Sequence, residues 1–300
     1  MRVLLAGATG TIGRHLIPLL VAAGHEVVGL VRTPGALADT PATELIGDAT
    51  RRAELLAAVD GESFDAVVIQ LTALRKSPLR FGDMATTNRL RTEGTSTMLA
   101  VARATGAKKV VAASIVYAYG FLDHGPEPLT EDHLFAEPTK SELDDTLEAL
   151  LSLEQQVRSF GGTVLRYGVI YERAGRIPPV PLAWNGLLPF IHVEDAAAAT
   201  LKALTLGRPR TTYNIVDDSP ASWRDLQAAR ARSTGQTAIA LPVFVLRLAA
   251  PFGSHLVTRT SMIVSNARAK RVLRWKPKYP SFHDALPESP DPTATVGTSP

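Results

Sequence analysis

Short apolar runs alternate with amphipathic stretches through the first half of the chain. Arg2-Val3-Leu4-Leu5-Ala6 is almost wholly apolar, as expected of a strand buried on both faces. Ile12, Leu16, Leu19 and Leu20 follow at spacings of three and four, which predicts an amphipathic helix. The same reading predicts strands at 26–31, 44–47, 66–71, 109–114 and 163–167, and helices near 50–59, 82–105 and 143–160. Strands that alternate with helices imply βαβ units and a parallel sheet covered on both faces. The expected class is α/β.

After about residue 170 the rhythm breaks. Pro178-Pro179-Val180-Pro181 predicts an irregular loop, 195–206 and 225–233 predict helices, and 212–216 predicts another strand. The apolar stretch 241–255, flanked by prolines, is expected to be helical. Residues 287–300 are rich in Pro, Ser and Thr and are expected to be a disordered tail.

Between the first strand and its helix lies Gly7-Ala8-Thr9-Gly10-Thr11-Ile12-Gly13. Glycine lets backbone approach an anion closely, and a helix N-terminus offers free N–H groups and a favourable dipole. In a doubly wound fold this turn holds the pyrophosphate of a dinucleotide, so Gly7, Thr9, Gly10, Thr11, Ile12 and Gly13 are the expected cradle. The expected architecture is a Rossmann-type doubly wound sheet with a smaller C-terminal substrate lobe. Residues 1–168 form the nucleotide-binding domain, with sheet contributions from about 188–216, and 169–286 form mainly the lobe.

The end of the second strand should meet the adenosine ribose. An acid there suits NAD, whereas an arginine suits the extra phosphate of NADP. The chain has Val31-Arg32-Thr33 with no acid before Asp39, so NADP(H) is favoured over NAD(H). Asp48 is placed to meet the adenine edge or to cap the next helix.

Composition adds mostly exclusions. A chain of 300 residues, 45% hydrophobic and 20% charged, can bury a sizeable core without staples. Net charge of +3 without a basic block gives no footprint for nucleic acid. With no cysteine, and histidines scattered without HxH or HxxxH spacing, no metal site is expected. No apolar run reaches membrane-spanning length and no cleavable leader is evident, so a cytoplasmic protein without membrane partners is expected. Abundant alanine and arginine resemble the coding bias of a GC-rich bacterium.

Several segments together resemble the extended short-chain dehydrogenase/reductase superfamily, the NAD(P)-dependent epimerases and dehydratases. The glycine turn has the extended spacing, and Gly47-Asp48 resembles the adenine-contacting acid. Leu71, Thr72 and Ala73 sit where that family has its cofactor-flanking strand end, and Asn88 with Gly94-Thr95 resembles its following helix. Ser114 to Tyr117 resembles the catalytic serine strand, and Glu131-Asp132 the loop after it. Leu165 to Tyr171, Phe190 to Ala197 and Tyr213-Asn214-Ile215 resemble later family segments. The resemblance implies that Tyr167, Tyr171, Trp184 and His192 line or approach the substrate pocket. It also implies a homodimer through helices near 82–105 and 143–160.

The resemblance departs at the active site. Family enzymes carry Tyr-x-x-x-Lys on a helix, where the Lys lowers the Tyr pKa and holds the nicotinamide ribose. None of the six tyrosines here has Lys four residues on. Counted back from Glu154, which fits the helix glutamate, Thr146 stands at the Tyr position and Leu150 at the Lys position. The chain therefore resembles an atypical branch. Ser114 at a strand end is a candidate to bind a substrate oxygen or to cap local backbone. Tyr117 and Tyr119 are candidates for a replacement proton donor or for aromatic packing. His192 is read chiefly as capping or packing near Glu194-Asp195. The adjacent acids Glu131-Asp132, Asp144-Asp145 and Asp217-Asp218 read as solvated faces or caps.

These features point to an NADP-binding epimerase, dehydratase or reductase acting on a small carbonyl or hydroxyl substrate with a non-standard proton donor. The alternatives are a non-redox cyclase, isomerase or lyase of natural-product tailoring on the same scaffold, and a non-catalytic NADP-binding sensor.

Overall fold

The computed structural model describes residues 1–74, 77–173 and 177–286. The nucleotide half runs β1 (Arg2–Ala6), α1 (Thr11–Ala22), β2 (Glu26–Val31), β3 (Thr43–Ile46), α2 (Arg52–Ala58) and β4 (Ala66–Ile69). A composite helix follows: a 3-10 turn (Phe81–Met84), α3 (Ala85–Arg89), a π-helical turn (Leu90–Gly94) and α4 (Thr95–Ala104). Next come β5 (Lys109–Ile115), a 3-10 turn (Val116–Tyr119), α5 (Asp144–Phe160) and β6 (Thr163–Tyr167).

The rest of the chain mixes short strands and helices: β7 (Val169–Tyr171), β8 (Val180–Pro181), β9 (Leu187–Leu188), β10 (Phe190–His192), α6 (Val193–Leu206), β11 (Thr212–Ile215), β12 (Ala221–Ser222), α7 (Trp223–Thr234), β13 (Ala240–Leu241), α8 (Val243–Ala249), α9 (Pro251–Thr258), α10 (Ala267–Leu273) and α11 (Phe282–Ala285). Proline accounts for one departure from the expected pattern. The apolar stretch expected as a helix over 241–255 is two helices, because Pro251 starts a new one and Ala250 leaves helical geometry at φ −142. The predicted loop at 178–181 includes the short β8, which pairs with β13. The expected tail, 287–300, lies outside the described residues.

Seven parallel strands form the central sheet in the order β11-β6-β5-β4-β1-β2-β3. This is a Rossmann-type doubly wound α/β fold. Each face is covered by its own apolar layer. Leu16, Ile17 and Leu20 of α1 pack with Ala196 and Ala203 of α6 on one side. Leu55, Met98, Leu153 and Val157 pack on the other. Strand order reverses between β1 and β4, and the crevice at such a switch point is where ligands enter open α/β sheets. The glycine turn after β1 and Leu71-Thr72-Ala73 after β4 flank that crevice.

The helix pair α3–α4 and α5 covers the second face. Arg89, Glu93, Asp145 and Glu148 are exposed on it, and none of the exposed large hydrophobics among the described residues belongs to these helices. No helix among the described residues is long and apolar enough to cross a membrane.

Candidate cofactor and active site

The three glycines have three different roles. Gly7 adopts φ +87, and a Cβ there would collide with the Gln70 carbonyl at the end of β4, 2.7 Å from its carbon and nearer its oxygen. A Cβ on Gly13 would collide with Gly7 O and stand 2.7 Å from Ala8 O, so the first turn of α1 lies hard against the loop. Gly10 is the N-cap of α1 with an ordinary φ of −76, and a Cβ there would meet only Gly7 O, at 3.1 Å. No side chain caps this helix and its first turn holds no acid. Backbone donors and open space beside Gly10, between exposed Thr9 and Thr11, fit a pyrophosphate; Ile12 is buried beneath them.

The expected adenosine end is the loop after β2. Arg32 is exposed. The following loop is folded back by Glu44, whose carboxylate accepts from the N–H of Gly35 (2.7 Å) and of Leu37 (2.6 Å). Asp48 accepts from the Thr50 N–H and hydroxyl, each at 2.8 Å, and both bonds fall on Oδ1. Burial would raise its pKa, but those bonds, with the charges of Arg32 and Arg51, hold the carboxyl below its usual range. Asp48 therefore organises the turn into α2 through Oδ1.

At the opposite end of the crevice Leu71 is half-buried, and Thr72 and Ala73 are exposed. The Ala73 N–H donates to Thr87 Oγ1 at 3.2 Å. Asn88 bridges two elements: its Nδ2 donates to Thr146 Oγ1 (3.3 Å) and its Oδ1 accepts from Arg91 Nη1 (3.1 Å). Thr146 is 1% exposed and Leu150 fully buried. At the two α5 positions that the sequence resemblance assigns to the family's Tyr and Lys stand a hydroxyl tied to Asn88 and an apolar core residue.

The candidate proton donors are placed differently from the sequence expectation. Ser114 is buried and donates to Glu154 Oε1 at 2.8 Å, so its hydroxyl is committed to the protein and not presented to substrate. Glu154 grips Arg166 with both oxygens, each at 2.8 Å. The Arg166 guanidinium lies 4.6 Å from the Tyr119 ring centroid, and the Tyr119 hydroxyl donates to Asn214 Oδ1 at 2.9 Å. Burial nonetheless raises the Tyr119 pKa. Tyr117 stacks on Phe121 (4.9 Å between centroids, 7° between planes), its hydroxyl is buried without a partner, and burial drives its pKa well above the ordinary phenol value. Neither phenol is tuned toward neutrality.

Of the four expected pocket residues, Tyr167 belongs to the core instead: it is 1% exposed, accepts from Gln70 Nε2 at 2.9 Å and bonds Thr200 Oγ1 at 2.7 Å. His192 is the N-cap of α6; its Nδ1 accepts from the Glu194 N–H at 3.4 Å and its ring meets the edges of Tyr279 and Tyr171. Burial lowers its pKa. Trp184 is half-buried, with its indole over Gly186. Tyr171 is buried, and its hydroxyl has no partner in hydrogen-bond geometry.

Beside Tyr171 stands a residue that sequence reasoning read as solvated. Asp217 is only 5% exposed, with neither oxygen in hydrogen-bond geometry, and burial pushes its pKa up to about 8. Its neighbour Asp218 does face outward, paired with Lys270. Glu131 and Asp132 both engage Arg268, and Glu131 accepts from the Asn214 N–H at 2.8 Å. Between the unfolded carboxyl value of ~3.9 and the folded value, the native state holds a proton that the unfolded chain has released, so stability falls as pH rises through that window. Asp217→Asn should leave stability unchanged near pH 4 and raise it by about 1 kcal/mol or more near pH 8. Urea unfolding at the two pH values checks this, and an equal effect at both would refute it.

Residues 3–142 match the sequence model of the NAD dependent epimerase/dehydratase family. A 3-diazoavenalumate denitrifying reductase from a Streptomyces species is 36% identical across 95% of this chain and 99% of its own length. The chain belongs to the NAD-dependent epimerase/dehydratase family. At lower identity, the photosystem II assembly factor Ycf39 of Synechocystis is 27% identical over 84% of this chain and 74% of its own. The fold matches UDP-glucose 4-epimerase of Thermotoga maritima, solved with UDP-glucose, at TM-score 0.77 and 19% identity, covering 95% of this chain and 96% of that one. The Thermus thermophilus UDP-glucose 4-epimerase, solved with NAD, matches at TM-score 0.74 and 20% identity with the same coverage.

Proposed function

We propose that this chain is an NADPH-dependent reductase that delivers hydride to a small electron-poor aromatic substrate without the family's Tyr/Lys proton relay. One observation carries the reading: the backbone beside Gly10 is open to a dinucleotide, while Thr146 and Leu150, at the helix positions that the family resemblance assigns to the relay, are a buried hydroxyl and a core side chain. The reduced nicotinamide supplies a hydride when bound. The reductase relative is named for a denitrifying reduction of a diazo compound, a reaction suited to such a site. Replacing an aryl diazonium group by hydrogen consumes one hydride, releases dinitrogen and draws no net proton from the protein. Beyond β4 and β5 the aromatic cluster of Tyr117, Phe121 and Phe252 is buried, and its half-buried member Phe81 is the surface that favours an aromatic substrate.

In this reading Gly7, Gly10 and Gly13 seat the pyrophosphate, Asp48 meets the adenine edge, Arg32 takes the 2′-phosphate, and Leu71 to Ala73 with Asn88 flank the nicotinamide end. The test is NADPH consumption with an aryl diazonium, compared with a simple ketone. Turnover of the diazonium with matching dinitrogen release is expected. Failure of the chain to bind either NADPH or NADH would overturn the proposal. Arg32→Ser should weaken NADPH binding about 10- to 100-fold, the value of a charge-assisted phosphate contact, and leave NADH within about two-fold. Tighter binding of NADH than NADPH by the parent chain would remove Arg32 from the phosphate.

A further inference from the structure

Among the described residues only Arg91 and Arg166 are buried cations. Arg166 has Glu154. Arg91 has no carboxylate within 4 Å among the described residues; it makes one hydrogen bond, from Nη1 to Asn88 Oδ1, and burial lowers its pKa to about 10. Arg91 is 7% exposed, and neither Nε nor Nη2 is fully enclosed, so the guanidinium keeps a narrow contact with solvent; a charge this poorly hydrated and without a carboxylate is costly, and the cost is relieved when an anion arrives. Its setting is unusual as well. Arg91 lies in the π-helical turn Leu90–Gly94, a geometry that is rare in helices and frequent at functional sites.

That turn sits against the cofactor end of the crevice. A Cβ on Gly94 would be 3.3 Å from Leu71 Cδ1, and Thr87, one turn earlier, holds the Ala73 N–H. Through Asn88 the guanidinium is linked to Thr146, the residue that the resemblance sets at the family's tyrosine. Leu150, one turn after Thr146 on α5, is a buried apolar residue and supplies no cation here.

We propose that Arg91 is an anion-binding residue of this site, taking an oxyanion that enters between the end of β4 and α5: either the carboxylate of the substrate or a phosphate of the cofactor. The inference rests on the reductase reading for the location of the site. It differs from a structural role in its consequence for the empty protein. An arginine that braces the fold stabilises it, whereas a cation waiting for a ligand does not.

The experiment compares Arg91→Met and Arg91→Lys with the parent, measuring thermal melting without ligand and dissociation constants for three probes: NADPH, 4-hydroxycinnamate, and the uncharged 4-vinylphenol. Arg91→Met should melt at or above the parent temperature and lose about ten-fold or more in affinity for an anionic probe, with 4-vinylphenol unaffected and Arg91→Lys intermediate. A loss confined to 4-hydroxycinnamate assigns the carboxylate; a loss for NADPH assigns the phosphate. Arg91→Met that fails to fold, melts lower, or binds NADPH and 4-hydroxycinnamate as the parent does would overturn the inference. Failure of the parent to bind NADPH would instead overturn the reductase reading.

Discussion

Glu154→Ala is expected to lower the unfolding free energy by about 3–5 kcal/mol, the effect of breaking a buried ion pair from one side. Glu154 is fully buried, and it takes two bonds from Arg166 and one from Ser114. Without it the Arg166 guanidinium, whose Nη1 already has no partner, becomes an uncompensated charge in the core, and the Ser114 hydroxyl is orphaned. Burial alone would lower the Arg166 pKa, and the Glu154 carboxylate more than reverses it, so the charge persists. Replacing both members, Glu154→Leu with Arg166→Met, should recover most of the loss, because well-packed apolar groups replace a buried pair at little cost. Guanidinium unfolding of the two single variants and the double variant checks this. A single-variant loss under about 1 kcal/mol would show that water reaches the pair.

Gly7→Ala and Gly10→Val should fail in opposite ways. At Gly7 the added Cβ meets immovable backbone of β4, and positive φ disfavours any side chain. Strain of about 1–2 kcal/mol and overpacking of about 1–3 together predict a loss of about 2–5 kcal/mol. The turn must move, so dinucleotide binding should be lost with stability. At Gly10 the backbone is ordinary and the only close atom is Gly7 O at 3.1 Å. Gly10→Val should therefore stay within about 2 kcal/mol of the parent in stability. Its NADPH affinity should fall about 100-fold or more, because the side chain fills the space where backbone must approach the pyrophosphate. Melting temperature and fluorescence titration read the two effects separately. Retained NADPH binding by Gly10→Val would move the phosphate site elsewhere.

The sequence by itself determined the backbone-level features of this protein. Alternation of apolar runs with three-and-four spacing located the sheet strands to within a few residues, because burial on both faces of a parallel sheet writes itself directly into composition. Gly7-x-x-Gly10-x-x-Gly13 was legible because left-handed φ and close backbone approach exclude side chains. That none of the six tyrosines has Lys four residues on needed only counting along the sequence. Tertiary structure alone decided which polar groups are free. Ser114 faces Glu154 across 40 residues, and Asn214 meets Glu131 across 83. Asp217 is buried although Asp218 beside it reaches Lys270. Arg91, which sequence reading passed over, is buried with no acid in reach among the described residues. Local periodicity specifies where backbone goes; the charge state and partners of a side chain depend on what distant segments bring to it, and whether water is left beside it.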